Sequence, residues 1–475
     1  MTTRFPMLVP GATPSGTMTV HAPWDGAVIA DIETGGPDAV ETALTTARAL
    51  ADDRDARLPQ DERIAILERT AAIMQERREE LAVEAAREGG KPLVDSLVET
   101  DRAIDGVRLC VETLRTQFGN EIPMGINAAS RSRVALTRWE PIGVVLAFSA
   151  FNHPLNLIVH QVGPAVASGC PVIVKPAEAT PLSCMRFVEI LREAGLPAEW
   201  CQALVTDSLE TAGSLVSDPR VDFFTFIGSA RVGWMLRSRL APGTRCVLEH
   251  GGAAPVLVAA DADLDNAIPL LAKGGFYHAG QVCVSVQRVF ADKKLARELA
   301  ERLAEAASAL TVGDPTQPGT EVGPLIRETE VTRIGEWVTE SGGEVLAGGI
   351  SISSRAYAPT VLYDPSPEAK VSTEEIFGPV VCVYPIEDLD EGTARANSLP
   401  YAFQAAVFAQ DIDAVLRATQ RLDASTVMVN DHTAFRVDWM PFAGLKQSGL
   451  GTGGIGYTMR DMQVQKLTVI RSLEL

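Results

Sequence analysis

The strongest constraint on the fold is a rhythm. Short runs that are apolar at nearly every position recur, each separated from the next by room for one helix. Residues 141–148, 171–176, 202–205 and 221–227 are the first four such runs. Between them, residues 155–167, residues 182–194 and a short stretch near Glu210 carry helical spacing, and a further helix follows Gly228-Ser229. A strand apolar throughout is covered on both faces, as parallel strands between helix layers are. Parallel strands also need crossovers of helix length. The rhythm therefore predicts a doubly wound α/β unit. It restarts after Val247, with strands at 255–258, 284–290, 380–384, 405–408 and 426–429 and helices at 264–273 and 293–310. A chain of 475 residues is too long for one core, so two doubly wound α/β units are predicted. Weak alternation at 17–33 predicts edge strands, and helical spacing runs from Asp38 to Glu99. A further helix at 97–118 carries Arg102, Asp105 and Arg108 on one side. Residues 130–139 and 464–475 alternate and are predicted as strands outside the two units.

Charge narrows the partners. The net charge of −19 argues against nucleic acid, whose phosphates demand a concentrated basic surface. It leaves room for a small anionic ligand, which needs only one or two local cations. Residues 1–16 lack the apolar core of a signal peptide, and no run reaches the length of a membrane span. The seven cysteines are odd in number, widely spaced and without a CxxC pair. Neither a disulfide framework nor a zinc site is expected, and no metal is predicted; a reducing cytoplasm fits best.

One cysteine stands in a distinctive setting. Cys283 lies between Gly280-Gln281 and an alternating run, and Gly274-Gly275 precede it. Small neighbours let a substrate and backbone N–H groups approach a thiol closely, and a nucleophilic cysteine requires both. The ordinary alternative is a small buried apolar residue. Glu249, between Val247-Leu248 and Gly251-Gly252, has surroundings that raise a carboxyl toward the range of a general base; a residue buried by a salt bridge is the alternative. Asn152 sits at a strand-to-helix turn, where its amide can donate to an oxyanion or cap a helix. Lys175 and Glu178 follow a buried strand at its C-terminal end, where doubly wound sheets bind ligands. A Lys and a Glu there can hold the hydroxyls of an adenosine ribose. Gly228-Ser229 joins a strand to a helix, placing a hydroxyl and free N–H groups to cap that helix or face a phosphate. The literal G-x-G-x-x-G at Gly451, Gly453 and Gly456 follows no buried strand and lacks the later acidic residue; it is read as a glycine-rich turn.

In order along the chain, these pieces resemble the aldehyde dehydrogenase superfamily over nearly the full length. The matching segments are Phe151-Asn152-His153-Pro154-Leu155, Lys175-Pro176-Ala177-Glu178, Phe226-Ile227-Gly228-Ser229 and Leu248-Glu249-His250-Gly251-Gly252. Gly280-Gln281-Val282-Cys283, Glu375-Ile376-Phe377-Gly378-Pro379 and Pro441-Phe442-Ala443-Gly444-Leu445-Lys446-Gln447-Ser448-Gly449 complete the series. The resemblance implies a dinucleotide-binding domain over residues 1–121 and 141–249 and a catalytic domain over 250–448. It also implies bridging oligomerisation strands over 122–140 and 459–475, joined by a connecting segment over 449–458. Cys283 would be the nucleophile and Glu249 the base, with Asn152 and the Cys283 N–H forming the oxyanion hole. Lys175 and Glu178 would hold the adenosine ribose, Gly228 and Ser229 the pyrophosphate, and Glu375 and Phe377 the nicotinamide ribose and ring. The implied cofactor is NAD, with NADP as the alternative, and the implied assembly a homodimer or homotetramer.

Three positions depart from the family pattern. His250 replaces the usual apolar residue, His153 replaces a common aromatic, and Gly451-Thr452-Gly453-Gly454 lacks a glutamate often found there. Residues 151–156 and 435–442 look closest to the branches acting on lactaldehyde and phosphonoacetaldehyde, although Val282 stands where the phosphonate branch usually has Arg. A CoA-acylating relative typically lacks the carboxylate base, and a non-catalytic protein on this fold would lose nucleophile, base or amide. With Cys283, Glu249 and Asn152 all present, oxidation of a small polar or anionic aldehyde to its acid is predicted. Arg102, His153, Val282 and Arg436 are placed along the substrate tunnel by the same resemblance. The bland alternative pairs Arg102 with Asp105 or another acid and Arg436 with Asp438, leaving an apolar tunnel.

Overall fold

A computed structural model describes residues 3–474. Its first large sheet has six strands in the order Gly449–Leu450, Arg245–Glu249, Phe223–Ile227, Val145–Phe148, Val172–Lys175 and Cys201–Ala203. All neighbours are parallel except the Gly449–Leu450 edge. Along one strand, Val145 and Ala147 enter a core built with helices Gln60–Glu76, Leu93–Thr116 and Asn156–Ser168. The intervening Leu146 and Phe148 enter a second core with helices Pro37–Asp52 and Leu209–Ser217. Alternate residues point to opposite faces of a strand. With helices on both faces, every position must be apolar, which is why these runs do not alternate.

The second large sheet has seven strands in the order Glu344–Ala347, Thr360–Tyr363, Val380–Ile386, Arg288–Asp292, Pro255–Val258, Gln404–Phe408 and Thr426–Val429. Only its Glu344–Ala347 edge is antiparallel. A third core encloses it. Outside both sheets, Gln463–Arg471, Arg133–Pro141 and Glu121–Ile122 form an antiparallel ribbon with Leu136, Leu467, Val469 and Ile470 exposed. Among the described residues no helix is long and apolar enough to cross a membrane.

Several elements differ from expectation. Within residues 17–33, Gly16–His21 is an edge strand, but Val28–Gly35 is central and pairs with Thr3–Phe5, Gly16–His21 and Val205–Thr206. The predicted strand 202–205 is split between two sheets, because Cys201–Ala203 pairs with Val172–Lys175 and Val205–Thr206 with Val28–Gly35. The predicted strand 284–290 begins only at Arg288. Residues 284–287 turn instead: the Ser285 N–H donates to the Val282 carbonyl and the Val286 N–H to the Gly274 carbonyl. The glycine-rich stretch within 449–458 does more than connect. Gly449–Leu450 adds a strand beside Arg245–Glu249, and the helix Ile455–Asp461 begins inside it and runs past position 459. The terminal strand occupies Gln463–Arg471, and Leu475 lies outside the described residues.

Candidate active site

Parallel pairing brings four strand ends to one edge of the six-stranded sheet. Phe148 is level with Lys175 and with Phe226, and Ile227 is level with Glu249. Lys175 and Glu249 therefore share an edge although they lie on different strands. Lys175 is buried, with Nζ donating to Glu178 Oε1 at 2.5 Å and lying 5.6 Å from the centre of the Phe148 ring. Burial opposes ionisation of Glu178, but the charge and hydrogen bond of Lys175 outweigh it and hold the carboxyl below its usual value. Ser229 occupies the capping position of helix Ala230–Arg237 without its side chain making a cap bond, contrary to one expectation for it. Its exposed hydroxyl is left free beside Gly228.

The facing wall belongs to the seven-stranded half and is built differently. After helix Leu264–Phe276 the chain takes three successive left-handed residues, His278, Ala279 and Gly280. Left-handed backbone costs a residue with a Cβ about 1–2 kcal/mol, so something must hold it. Gln281, fully buried, supplies much of that hold. Its Nε2 donates to the Pro324 carbonyl at 3.1 Å and its Oε1 accepts the Ile326 N–H at 2.9 Å. Four residues after Cys283, buried Gln287 donates to the Glu374 carbonyl at 2.7 Å and accepts the Ile376 N–H at 2.9 Å. The nucleophile candidate is thus suspended between two amide side chains that span the fold.

Asn152 crosses from the first half to the second. Its Nδ2 donates to the Gln281 carbonyl at 2.9 Å, which fixes the amide next to the Cys283 turn and leaves its second N–H uncommitted. Cys283 itself is half-buried. Burial pushes its thiol up to about 12; the positive charge of Arg436 opposes the rise, and Glu249 and Glu375 add to it. Glu249 is raised by burial, with Arg436 again opposing. A Cβ on Gly453 would lie 2.1 Å from Glu249 Oε1, so the glycine-rich turn leaves the space this carboxylate occupies. Glu375 is pushed up to about 7 by burial, although the Gly252 N–H donates to it at 3.2 Å. Phe377 is left-handed at φ 48° and meets Phe151 edge-on at 5.8 Å.

The predicted substrate residues separate into two kinds. Arg102 does pair with an acid, but not with Asp105, which binds Arg108 instead. Two bonds of 3.0 and 2.6 Å tie its guanidinium to Asp438. Asp438 also accepts from His160 Nε2 at 2.7 Å. Burial opposes its ionisation, yet His160 and Arg102 together hold it far below the carboxylate range. Arg436 is held more loosely, with Nη2 3.5 Å from His160 Nδ1. Its Nε stands 3.9 Å from Asp438 and makes no hydrogen bond, its guanidinium covers the Phe442 ring at 3.5 Å, and its side chain is only 10% exposed. His153 is buried with Nε2 3.2 Å from the Tyr277 hydroxyl, and burial holds the imidazole well below its usual value, hence neutral. Val282 packs with Val284, Phe403 and Phe442 in an apolar collar that includes Cys283.

Comparison with known proteins shows the family. The Aldehyde dehydrogenase family profile matches residues 10–468. The chain belongs to the aldehyde dehydrogenase family. Similar to it is a 3-sulfolactaldehyde dehydrogenase of Priestia aryabhattai, 36% identical over 413 residues, which are 86% of this chain and 86% of the relative. Aldehyde dehydrogenase 21 from Physcomitrella patens, solved with the reaction product succinate, superposes with a TM-score of 0.95 at 34% identity, covering 100% of this chain and 99% of that one. A glyceraldehyde-3-phosphate dehydrogenase from Methanocaldococcus jannaschii complexed with NADP gives a TM-score of 0.91 at 32% identity, covering 96% and 99%. This aldehyde dehydrogenase is accordingly an NAD(P)-dependent oxidoreductase.

The residues present fit a dinucleotide. Lys175 and Glu178 lie at a parallel strand end, the Ser229 hydroxyl is free, and the buried Glu375 carboxylate receives only one backbone bond. Two supports of the aldehyde dehydrogenase site have no role in the sequence reading, and a third is given a different partner there. Gln287 and the fully buried Lys91–Glu99 ion pair are the first two; Glu99 accepts the N–H groups of Leu155 and Asn156 at 3.0 Å each and so anchors the turn carrying Asn152. The third is Asp438, which joins Arg102 across 336 positions of chain. The glycines before Lys91 were the only local signal for the ion pair.

Proposed function

We propose that this enzyme oxidises a small aldehyde bearing an anionic or strongly polar group to its carboxylic acid by hydrolysis of a cysteine thioester. The observation that carries the substrate class is Arg436, a buried guanidinium with an unpartnered Nε whose charge reaches the Cys283 thiol. A buried cation whose nearest acid, Asp438, is 3.9 Å away and already bonded to Arg102 and His160 is poorly neutralised, and a carboxylate, sulfonate or phosphate on the substrate would satisfy it with charge-assisted bonds. A long alkyl chain would leave it unsatisfied.

The reaction assigns each group a task. Cys283 reacts as its thiolate, its proton passing to solvent, and its sulfur attacks the aldehyde carbon. The second N–H of Asn152 and the backbone N–H of Cys283 receive the oxyanion. A bound nicotinamide would supply the hydride acceptor that turns this carbon into the thioester. Glu249 then takes a proton from water as that water attacks, the carbon–sulfur bond breaks, and the acid leaves. Gly228 and Ser229 would face the pyrophosphate, Lys175 and Glu178 the adenosine ribose, and Glu375 and Phe377 the nicotinamide end. Glu178 favours NAD, since a carboxylate accepts from a ribose 2′-hydroxyl and repels a 2′-phosphate.

The same reading divides the chain into a cofactor domain over 1–121 and 141–249, a catalytic domain over 250–448, and bridging strands over 122–140 and 459–475. The exposed apolar side chains on both faces of the bridging ribbon support a homodimer or homotetramer. Seven unpaired cysteines favour the cytoplasm.

The test compares kcat/KM for succinic semialdehyde, sulfolactaldehyde, lactaldehyde, hexanal and benzaldehyde, with NAD and with NADP, in wild type and Arg436→Ala. Anionic substrates should lead, and the variant should erase that lead by about tenfold or more. Hexanal or benzaldehyde leading in wild type, with ratios unmoved by the variant, would overturn the substrate class.

A further inference from the structure

His250, the residue immediately after Glu249, stands where an apolar side chain is expected, and it is buried. Its imidazole lies beneath helix Ala230–Arg237 and meets the Phe226 and Trp234 rings edge-on, each at 5.8 Å. A Cβ on Gly233 would come within 1.9 Å of its Cε1, so that helix comes close to the ring. Burial holds the imidazole below its usual value, hence neutral. Nδ1 is 3.0 Å from the Gly228 carbonyl, so Nδ1 carries the proton and donates it. Nε2 is buried without a partner. Desolvating that nitrogen is unfavourable, and an apolar residue would avoid it. The Gly228 N–H in turn donates to the Glu249 carbonyl at 3.0 Å. Both polar backbone groups of Gly228 are thereby tied to residues 249 and 250.

We propose that His250 is a positioning residue for cofactor binding: by holding the Gly228 carbonyl it aims the free Ser229 hydroxyl and the first N–H groups of the helix at the cofactor phosphates. This rests on the reading of Gly228-Ser229 as the phosphate-facing turn. Without the imidazole donor, the peptide between Gly228 and Ser229 is free to rotate, and phosphate binding must order it. The cost falls on cofactor affinity, not on Cys283, which belongs to the other half.

The test measures NADH affinity by fluorescence titration in the absence of aldehyde, alongside kcat, aldehyde KM and thermal midpoint, for His250→Leu, His250→Asn and Ser229→Asp. His250→Leu removes the donor and keeps an apolar filler. It should raise the NADH Kd by roughly fivefold, as loss of one hydrogen bond does, with kcat at saturating cofactor and aldehyde KM within about twofold. His250→Asn restores a donor near Gly228 and should recover most of that affinity. Unchanged Kd in His250→Leu would overturn the proposal, as would a fall in kcat with Kd intact, which would show His250 acting through Glu249. Should His250→Leu fail to fold, Gly233→Ala, which displaces the ring from the other side, must give the same Kd shift. Ser229→Asp tests the underlying reading. If it leaves NADH affinity intact, the turn does not face the phosphates, whereas weakened binding there with none in His250→Leu removes only the role of His250.

Discussion

The two walls of the active site reach similar precision by different means. On the cofactor wall, Lys175 and Glu249 end regular parallel strands, and their spacing follows from the sheet register. On the nucleophile wall, Cys283 belongs to no strand and is held by the buried amides of Gln281 and Gln287 across a left-handed turn. A strand end is rigid because many equivalent bonds support it. The Cys283 turn is rigid because a few particular bonds do. Removing a supporting side chain should therefore perturb only function on the first wall, and function together with stability on the second.

The largest effect expected is from Cys283→Ala. The thiol supports no other residue, so the variant should keep its thermal midpoint and its NADH affinity while turnover falls by about four orders of magnitude or more. Near-normal steady-state turnover would remove Cys283 from the chemistry. Glu249→Gln should lower steady-state turnover by about 10²–10³ while preserving one rapid burst of NADH per site, because the oxidative half precedes the water step. Turnover at the wild-type rate would show that another group activates water.

Acidity gives a third test. Burial pushes the Cys283 thiol up to about 12, so the neutral thiol dominates the free enzyme at neutral pH. The thiolate is the reactive form, and its fraction grows tenfold per pH unit below the pKa. Alkylation of Cys283 by iodoacetamide should thus accelerate by about 100-fold between pH 7 and 9 without a plateau. Arg436→Ala removes the opposing cation and should slow alkylation at every pH. A plateau before pH 8 would mean that the turn already stabilises a thiolate.

The smallest effects address the contrast between the walls directly. Gln281→Leu leaves the Ile326 N–H and the Pro324 carbonyl unpaired, at a cost of about 2–4 kcal/mol. It should lower the thermal midpoint by several degrees and kcat by about tenfold. Lys175→Ala should raise the KM for the cofactor by about tenfold and leave the midpoint within a degree or two. If both variants lose stability equally, the distinction between the walls fails.

The same distinction explains what could be read from the chain. Runs such as 145–148 and 172–174 announce themselves because two helix layers require every residue to be apolar. The extension of a strand back to Val284 was a misreading with a physical cause. Val282 and Val284 are apolar because they line the collar around Cys283, and Val286 because it enters the core of the seven-stranded half; their alternation mimics a pleat. The pairing of Arg102 with Asp438 was beyond local inspection, since the nearer Asp105 is equally acidic and only the fold decides between them. Ser229 has a capping residue's identity and position but makes no cap bond, and sequence does not report where a hydroxyl points.

The Gly449–Leu450 strand has a consequence for how the protein is made. It completes the six-stranded sheet beside Glu249, yet it leaves the ribosome about 200 residues later, at ~5–20 residues per second. The helix that follows, Ile455–Asp461, carries Ile455 and Met459 into the core of the first half. For roughly 10–40 seconds of synthesis the nascent first half waits with one sheet edge bare and a notch in its interior. The bare edge is the Arg245–Glu249 strand itself, so the strand that carries Glu249 stays open to misassembly until late in translation.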